Sequence, residues 1–222
     1  MLRAGKKSGN KGPLFGQPEE DAPLLAEELH DEHESVVITE AFPDAEVITA
    51  SLTDPERFTT LYQRYAGEIH RYVAGRLGPD MADDLMAETF LQAFRYRGRY
   101  DPERAGVRPW LYGIATNLIG RQRRSEIRFY RAIVRTGMDP SIEPMEPVID
   151  RLSAESMRGD LAAGMARLNQ GERDVLVLVA GSGFAYEEVA QALGISVGTV
   201  SSRLFRARKK MRATLEVRGG RA

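Results

Sequence analysis

The sequence predicts an all-α protein: two small helical domains joined by a flexible linker and preceded by a poorly ordered acidic extension. Three observations carry this. Apolar residues recur at three- and four-residue intervals wherever the chain has a regular pattern. Pro- and Gly-bearing polar stretches at 98–108 and 137–155 interrupt that pattern. The first 50 residues hold 4 basic against 11 acidic side chains and little apolar surface, too little to offset the entropy of ordering them. The expected divisions are an extension at 1–50, a first domain at 54–130, a linker at 131–160, a second domain at 161–215 and a tail at 216–222.

The overall balance of 31 Lys and Arg against 32 Asp and Glu hides an asymmetry. Opposite the acidic start, residues 195–222 carry 8 Arg and Lys against Glu216 alone, a distribution suited to a polyanionic partner. The chain has no cysteine, which excludes disulfides, thiolate catalysis and cysteine-ligated metals, and fits a reducing cytosol. No apolar run is long enough for a bilayer. Residues 1–11 are basic but lack the apolar stretch of a signal peptide. A cytoplasmic protein without membrane insertion is expected.

The first helix is expected from Pro55, where Phe58, Leu61, Tyr62, Tyr65, Ile69, Tyr72, Val73 and Leu77 form one stripe that Gly78 and Pro79 stop. A second, over about 81–97, should bury Met86, Phe90 and Phe94, with Leu85 and Leu91 beside them. After a polar loop, Pro109 suits the first turn of a third helix, where its missing N–H costs nothing. That helix holds Trp110, Leu111, Ile114, Ala115 and Leu118 and is expected to end in Arg121, Arg123 and Arg124. Pro140, Pro144 and Pro147 among acidic residues have a linker's composition. Residues 161–180 read as helix, broken near Asn169, where Asn169 and Glu172 have the spacing of a capping box. Gly181 and Gly183 end it.

Residues 186–210 read as a helix-turn-helix. In the segment YEEVAQAL, Val189 and Leu193 face inward and Ala190 is small where two helices approach. Gly194 takes the left-handed ending position, Ile195 is buried, and Ser196 caps the next helix. On that helix Val200, Leu204, Ala207 and Met211 share a narrow buried arc. Ser202, Phe205, Arg206 and Lys209 stand opposite, flanked by Arg203, Arg208 and Lys210. An exposed Phe among cations suits contact with a thymine methyl or sugar while the cations pair with phosphates.

Three phrases in this order, DDLMAETF at 83–90, WLYGIATN at 110–117 and YEEVAQALGISVGTVSSRLFRAR at 186–208, resemble regions 2.2, 2.3 and 4 of the extracytoplasmic-function (group 4) sigma factors of bacterial RNA polymerase. The resemblance covers about residues 54–215. It implies a promoter-specificity subunit, not an enzyme, with no cofactor and no metal, binding core polymerase at the β′ clamp coiled coil and the β flap. It implies docking on the clamp by Asp83, Asp84, Leu85, Glu88 and Phe90. The −10 strand, melted to single strands, would meet Arg99, Tyr100, Trp110, Asn117, Arg121, Arg123 and Arg124. Trp110, close to Ile114 on the helical wheel, reads as a core residue supporting the loop. The −35 duplex would meet Ser196, Thr199, Ser201, Ser202, Arg203, Phe205, Arg206 and Lys209. The linker would thread toward the polymerase active centre, and an anti-sigma factor is a further expected partner.

Three positions depart from the family pattern. Ala185 replaces the usual Ser or Thr cap, a loss of about 1 kcal/mol in typical hosts. Ser201 replaces a common Lys or Arg, and Arg121 a common acidic residue. Asp84 and Glu88 are like charges four apart, a cost of a few tenths of a kcal/mol that a basic partner would offset.

Two other classes compete on residues alone. An ordinary helix-turn-helix regulator accounts for 186–210 but has no use for the strand-opening phrase at 110–117. An enzyme finds little support. Gly181 and Gly183 lack the third glycine of a dinucleotide fingerprint, Gly5-Lys6 lacks the upstream glycine of a phosphate loop, and His30, His33 and His70 are the only histidines. His30 and His33 sit among carboxylates in the extension, a solvated tail rather than a metal scaffold.

Overall fold

The computed structural model describes residues 43–136 and 148–219. Residues 1–42, and with them most of the expected extension, lie outside the described residues, as does 137–147 of the expected linker. Every element among the described residues is helical: α1 (Asp44–Ser51), α2 (Thr59–Leu77), α3 (Ala82–Tyr96), α4 (Val107–Arg121), α5 (Arg123–Thr136), α6 (Val148–Arg167), α7 (Gln170–Leu176), α8 (Tyr186–Leu193) and α9 (Val197–Gly219). Short 3-10 turns, Pro55–Phe58, Pro79–Met81 and Arg97–Arg99, precede α2 and flank α3.

Helix α1 corrects the boundary expected at residue 50. Asp44 and Glu46 in its first turn suit the positive end of the helix dipole. Its apolar pair, Val47 and Ile48, is buried. Asp44 accepts hydrogen bonds from Arg64 at 2.6 Å and from the Tyr65 hydroxyl, both on α2. An average over 50 residues concealed this short segment, which has both apolar surface and a long-range partner.

The stripe on α2 is realised by Leu61, Ile69, Tyr72, Val73 and Leu77, all buried, while Tyr62 remains 43% exposed at its edge. On α3, Phe90 and Ala93 are buried and Leu91 is left out, at 41% exposure. Helices α2, α3 and α4 pack on one another. Each fully buried Leu, Ile or Val contributes about 1.5–3 kcal/mol.

The basic run expected to end one helix instead spans two. A turn at Gln122 (φ −93°, ψ 21°) ends α4, and Arg123 and Arg124 begin α5. Helix α5 continues to Thr136 and packs on α6 through Tyr130, Ile133 and Ala162, with Phe129, Val134, Met165 and Ala166 around them. The linker expected over 131–160 is therefore helical at 131–136 and 148–160. The apolar side of α5 needs cover, and α6 supplies it.

Helix α7 begins at the expected capping box. Asn169 Oδ1 accepts from the Glu172 N–H at 2.9 Å, and the Glu172 carboxylate accepts from the Asn169 N–H at 3.0 Å. After α7 the helix widens into a π turn over Val177–Gly181. Helices α6, α7 and α8 all pack on α9.

Helix α8 also packs on α4, so Leu111, Tyr112 and Ala115 share one core with Phe184, Val189 and Val200. Tyr112 and Phe184 meet edge to face, 4.8 Å between ring centroids. Gly113 permits this approach: a Cβ there would collide with the carbonyl oxygen of Ala192.

A buried polar network joins the same two groups of helices. Arg76 on α2 donates to Glu126 on α5, to Asp174 on α7 at 2.6 Å and to the Tyr72 hydroxyl at 3.0 Å. Arg173 donates to the other Glu126 oxygen at 2.7 Å and to the carbonyls of Leu168 and Met165. The Thr116 hydroxyl donates to the Tyr112 carbonyl at 2.7 Å, so the Tyr72 hydroxyl, 2.7 Å away, donates to Thr116. Burial pushes the Tyr72 phenol up to about 12, keeping that proton in place. Two guanidinium groups balance two carboxylates, and among the described residues no buried side-chain nitrogen or oxygen lacks a partner.

Candidate nucleic-acid interfaces

The helix-turn-helix follows its expected local chemistry. Gly194 is left-handed (φ 61°), and the N–H groups of Gly194 and Ile195 return to the carbonyls of Gln191 and Ala190 at 3.3 and 3.0 Å. Ser196 Oγ accepts from the Thr199 N–H at 3.2 Å, closing the first turn of α9. Ala185 cannot cap α8, but Glu188 reaches back to the Ala185 N–H at 2.8 Å, the half of a capping box that needs no cap side chain.

Val200, Leu204 and Ala207 are buried on α9 as expected, and Met211 is half-buried beside Gly164. On the outer face Phe205 is 70% exposed, with Ser201, Ser202, Arg206 and Lys209 also exposed. Thr199 and Arg203 are half-buried, Arg203 lying along Gly171 of α7. Ser201, Ser202, Phe205, Arg206 and Lys209 thus share one exposed strip of α9, with Arg203 turned toward α7 at its flank and Ser196 and Thr199 closing its first turn.

The residues expected at the −10 strand fall into two groups. Asn117, Arg121, Arg123 and Arg124 are exposed along the end of α4 and the start of α5. Tyr100 and Trp110 are half-buried, their rings 5.1 Å apart, and the Tyr100 hydroxyl donates to the Ala105 carbonyl at 2.9 Å. Trp110 thus packs on the loop through the Tyr100 ring. Arg99, Tyr100, Arg104 and Trp110 line one side of a cleft of about 640 Å³, and Glu187, Gln191 and Ile195 of the helix-turn-helix line the other.

Of the residues expected at the clamp, Asp83 and Asp84 are exposed at the start of α3, and Leu85 and Glu88 are half-buried. Asp83 lies 3.4 Å from His70, and Glu88 accepts from Gln92 at 2.9 Å. Phe90 is corrected. It is 5% exposed and stacks edge to face on Tyr62, so it supports this surface from beneath instead of touching a partner. The exposed apolar groups beside it are Tyr62 and Leu91, which the sequence reading assigned to the core.

Comparison with known proteins matches Sigma-70 region 2 to residues 61–129 and Sigma-70, region 4 to residues 158–211. The chain is 36% identical over 140 residues to the ECF RNA polymerase sigma factor EcfG of Rhodopseudomonas palustris, covering 63% of this chain and 74% of that one. The chain belongs to the extracytoplasmic-function sigma factors. It is also 32% identical over 177 residues to the ECF sigma factor SigL of Mycobacterium tuberculosis, covering 79% of this chain and 98% of that one. The fold matches a solved structure of the sigma factor RpoE in complex with the anti-sigma factor NepR from Bartonella quintana, with a TM-score of 0.50 at 22% identity, over 72% of this chain and 97% of that one.

As a sigma factor the chain directs promoter-specific transcription, and its family consists of regulators that are in general not enzymes. Among the described residues no helix of this sigma factor is long and apolar enough to cross a membrane.

Beside α9, a charged group that the sequence showed only as a cap has a second role. Glu172 also accepts from Lys210 Nζ at 2.7 Å, and its other oxygen lies 3.7 Å from Arg206 Nε. Burial works to raise its pKa. The bonds from Lys210 and the Asn169 N–H, with the charges of Lys210 and Arg206, outweigh that and hold it below the ordinary 4.5. Its contribution to stability is present above the unfolded value and is lost as pH falls through the folded one.

Proposed function

We propose that this sigma factor lends two-point promoter recognition to core polymerase, which performs the chemistry, the chain itself catalysing nothing and working in the cytoplasm. Ser201, Ser202, Phe205 and Arg206 read the −35 duplex, with Ser196, Thr199, Arg203 and Lys209 placing α9 on the backbone. Asn117, Arg121, Arg123 and Arg124 hold the melted −10 strand, where exposed cations and an amide can offset the cost of unstacking. Arg99 joins them from the loop that Tyr100 and Trp110 brace. Asp83, Asp84 and Glu88 present an acidic edge to the β′ clamp, and Leu85 and Phe90 shape it from below. The functional halves are taken as 54–130 and 161–215. An anti-sigma factor is a further proposed partner, since the RpoE whose fold this chain shares is in complex with one.

One observation carries this reading: a 70% exposed Phe205 in the middle of a cationic strip on a helix whose opposite face buries Val200, Leu204 and Ala207. An apolar ring left in water between cations gains nothing for the fold, and gains much against a base edge or sugar.

Phe205→Ala is expected to reduce the dependence of transcription on the −35 sequence about tenfold, the scale of one apolar or polar base contact. Core binding should stay unchanged. Run-off transcription with purified core polymerase on a genomic library, then on scrambled −35 templates, reads this directly. Unchanged promoter selectivity would remove Phe205 from the interface, and a library without chain-dependent products would remove the whole reading. Asp84→Lys should weaken co-purification with core polymerase while leaving the thermal midpoint in place. Normal assembly would sink the clamp assignment.

A further inference from the structure

We propose that Glu172 is a positioning residue for promoter discrimination: it aims Arg206 at the −35 duplex and withholds Lys210 from the phosphates. The inference rests on the reading of α9 as the −35 recognition helix and adds a residue outside that helix which sets how selective it is.

The Glu172 side chain is 2% exposed, whereas the Arg206 and Lys210 side chains it faces are 54% and 44% exposed. A carboxylate so buried is tolerated only when its oxygens are matched. Oε2 takes the Asn169 N–H at 3.0 Å and Lys210 Nζ at 2.7 Å. Oε1 faces Arg206 at the Nε edge, 3.7 Å away. That separation exceeds a hydrogen bond and acts as an electrostatic tether. Among the described residues it leaves both terminal guanidinium nitrogens without a partner, the fork that addresses a base edge or a phosphate in two bonds.

Lys210 is treated differently. Its ammonium meets the buried oxygen directly, one turn beyond Arg206, and transferring it to a phosphate would leave that oxygen with less charge to answer it. The first turn of α7 lies along this side of α9 at a further point, since a Cβ on Gly171 would come 2.9 Å from Arg203 Nη1. One buried anion therefore sorts two cations of the same strip. It directs one outward, and it removes the other from the nonspecific attraction that any duplex exerts on a basic helix.

Glu172→Gln separates this role from capping, because Gln at the same position still completes a capping box, whereas Glu172→Ala does not. The full chain is titrated with a short duplex of random sequence over a salt series, and with core polymerase it is assayed on intact and −35-scrambled templates. For Glu172→Gln the slope of log affinity against log salt should steepen by about one to two units, roughly one per released cation. Preference for the intact template should fall about tenfold. Lys210→Met added to Glu172→Gln should return about one unit of slope.

If Glu172→Gln matches the wild type in slope and preference while Glu172→Ala merely melts earlier, Glu172 is a cap and the proposal fails. A steeper slope that Lys210→Met leaves unchanged overturns the sequestration of Lys210. If the wild type itself ignores the −35 sequence, the recognition-helix reading falls first and this inference with it.

Discussion

Arg76→Met is expected to cost about 3–5 kcal/mol of stability, the range for removing one partner from a buried ion pair. Arg76 is fully buried, and its loss strands the buried carboxylates of Glu126 and Asp174. Arg173 still answers Glu126, so Asp174 bears most of the cost. Burial already raises the Asp174 pKa above 3.8 against the pull of Arg76, and the substitution should raise it further. The folded state then binds the proton more tightly than the unfolded chain, so stability is regained as pH falls through the folded pKa. Denaturant titrations at neutral and mildly acidic pH should show the deficit shrinking in acid. An equal deficit at both would mean that the stranded carboxylate is not its source. Because the network ties α2 and α5 to α7, wild-type unfolding should be one transition. Two separate transitions would show that the matched regions do not share a core.

The same network marks the limit of what the sequence disclosed. Asn169 with Glu172, Gly194 before Ile195, and Phe205 opposite Val200 and Leu204 were legible because each is a local arrangement whose chemistry acts within one or two turns. The inward role of Arg76 was harder to see, since charged side chains are solvated by default. A signal did exist. Arg76 lies four residues after Tyr72 and three after Val73, on the arc that buries the rest of α2, and Glu126 is four before the buried Tyr130. A charge inside an apolar stripe predicts a buried partner, but the partner itself, Asp174, is 98 residues away and no local pattern names it. Phe90 failed for the opposite reason. Its phrase fits the family's clamp-binding segment, and a family phrase does not distinguish the residue that touches a partner from the one beneath it. The α1 segment and the helical ends of the linker were lost to averaging, because acidic and Pro-rich windows covered short runs with apolar faces of their own.

Gly113→Ala should destabilise the protein although helix propensity alone predicts a gain of about 1 kcal/mol. The new methyl collides with the Ala192 carbonyl oxygen, and overpacking of this kind costs about 1–3 kcal/mol. Ala192 has little freedom to yield, because the Gly194 and Ile195 N–H groups fix the turn that follows it. Helices α4 and α8 must therefore separate, and α8 amides should exchange faster in hydrogen-exchange measurements. A net gain in stability would show that the contact relaxes at no cost. The consequence for function has the other sign. Asn117 lies one turn along α4 from Gly113, and α9 packs on α8, so the two proposed reading surfaces sit on helices held together at this contact. On the proposed reading the −35 and −10 elements they address are about 25 base pairs apart, roughly 85 Å along the duplex. Helices packed at Gly113 do not span that distance, so on that same reading promoter engagement requires the contact to break. Gly113→Ala should then lower the thermal midpoint while leaving chain-dependent transcription undiminished. A loss of transcription in proportion to stability would show instead that α4 and α8 remain packed in the working complex.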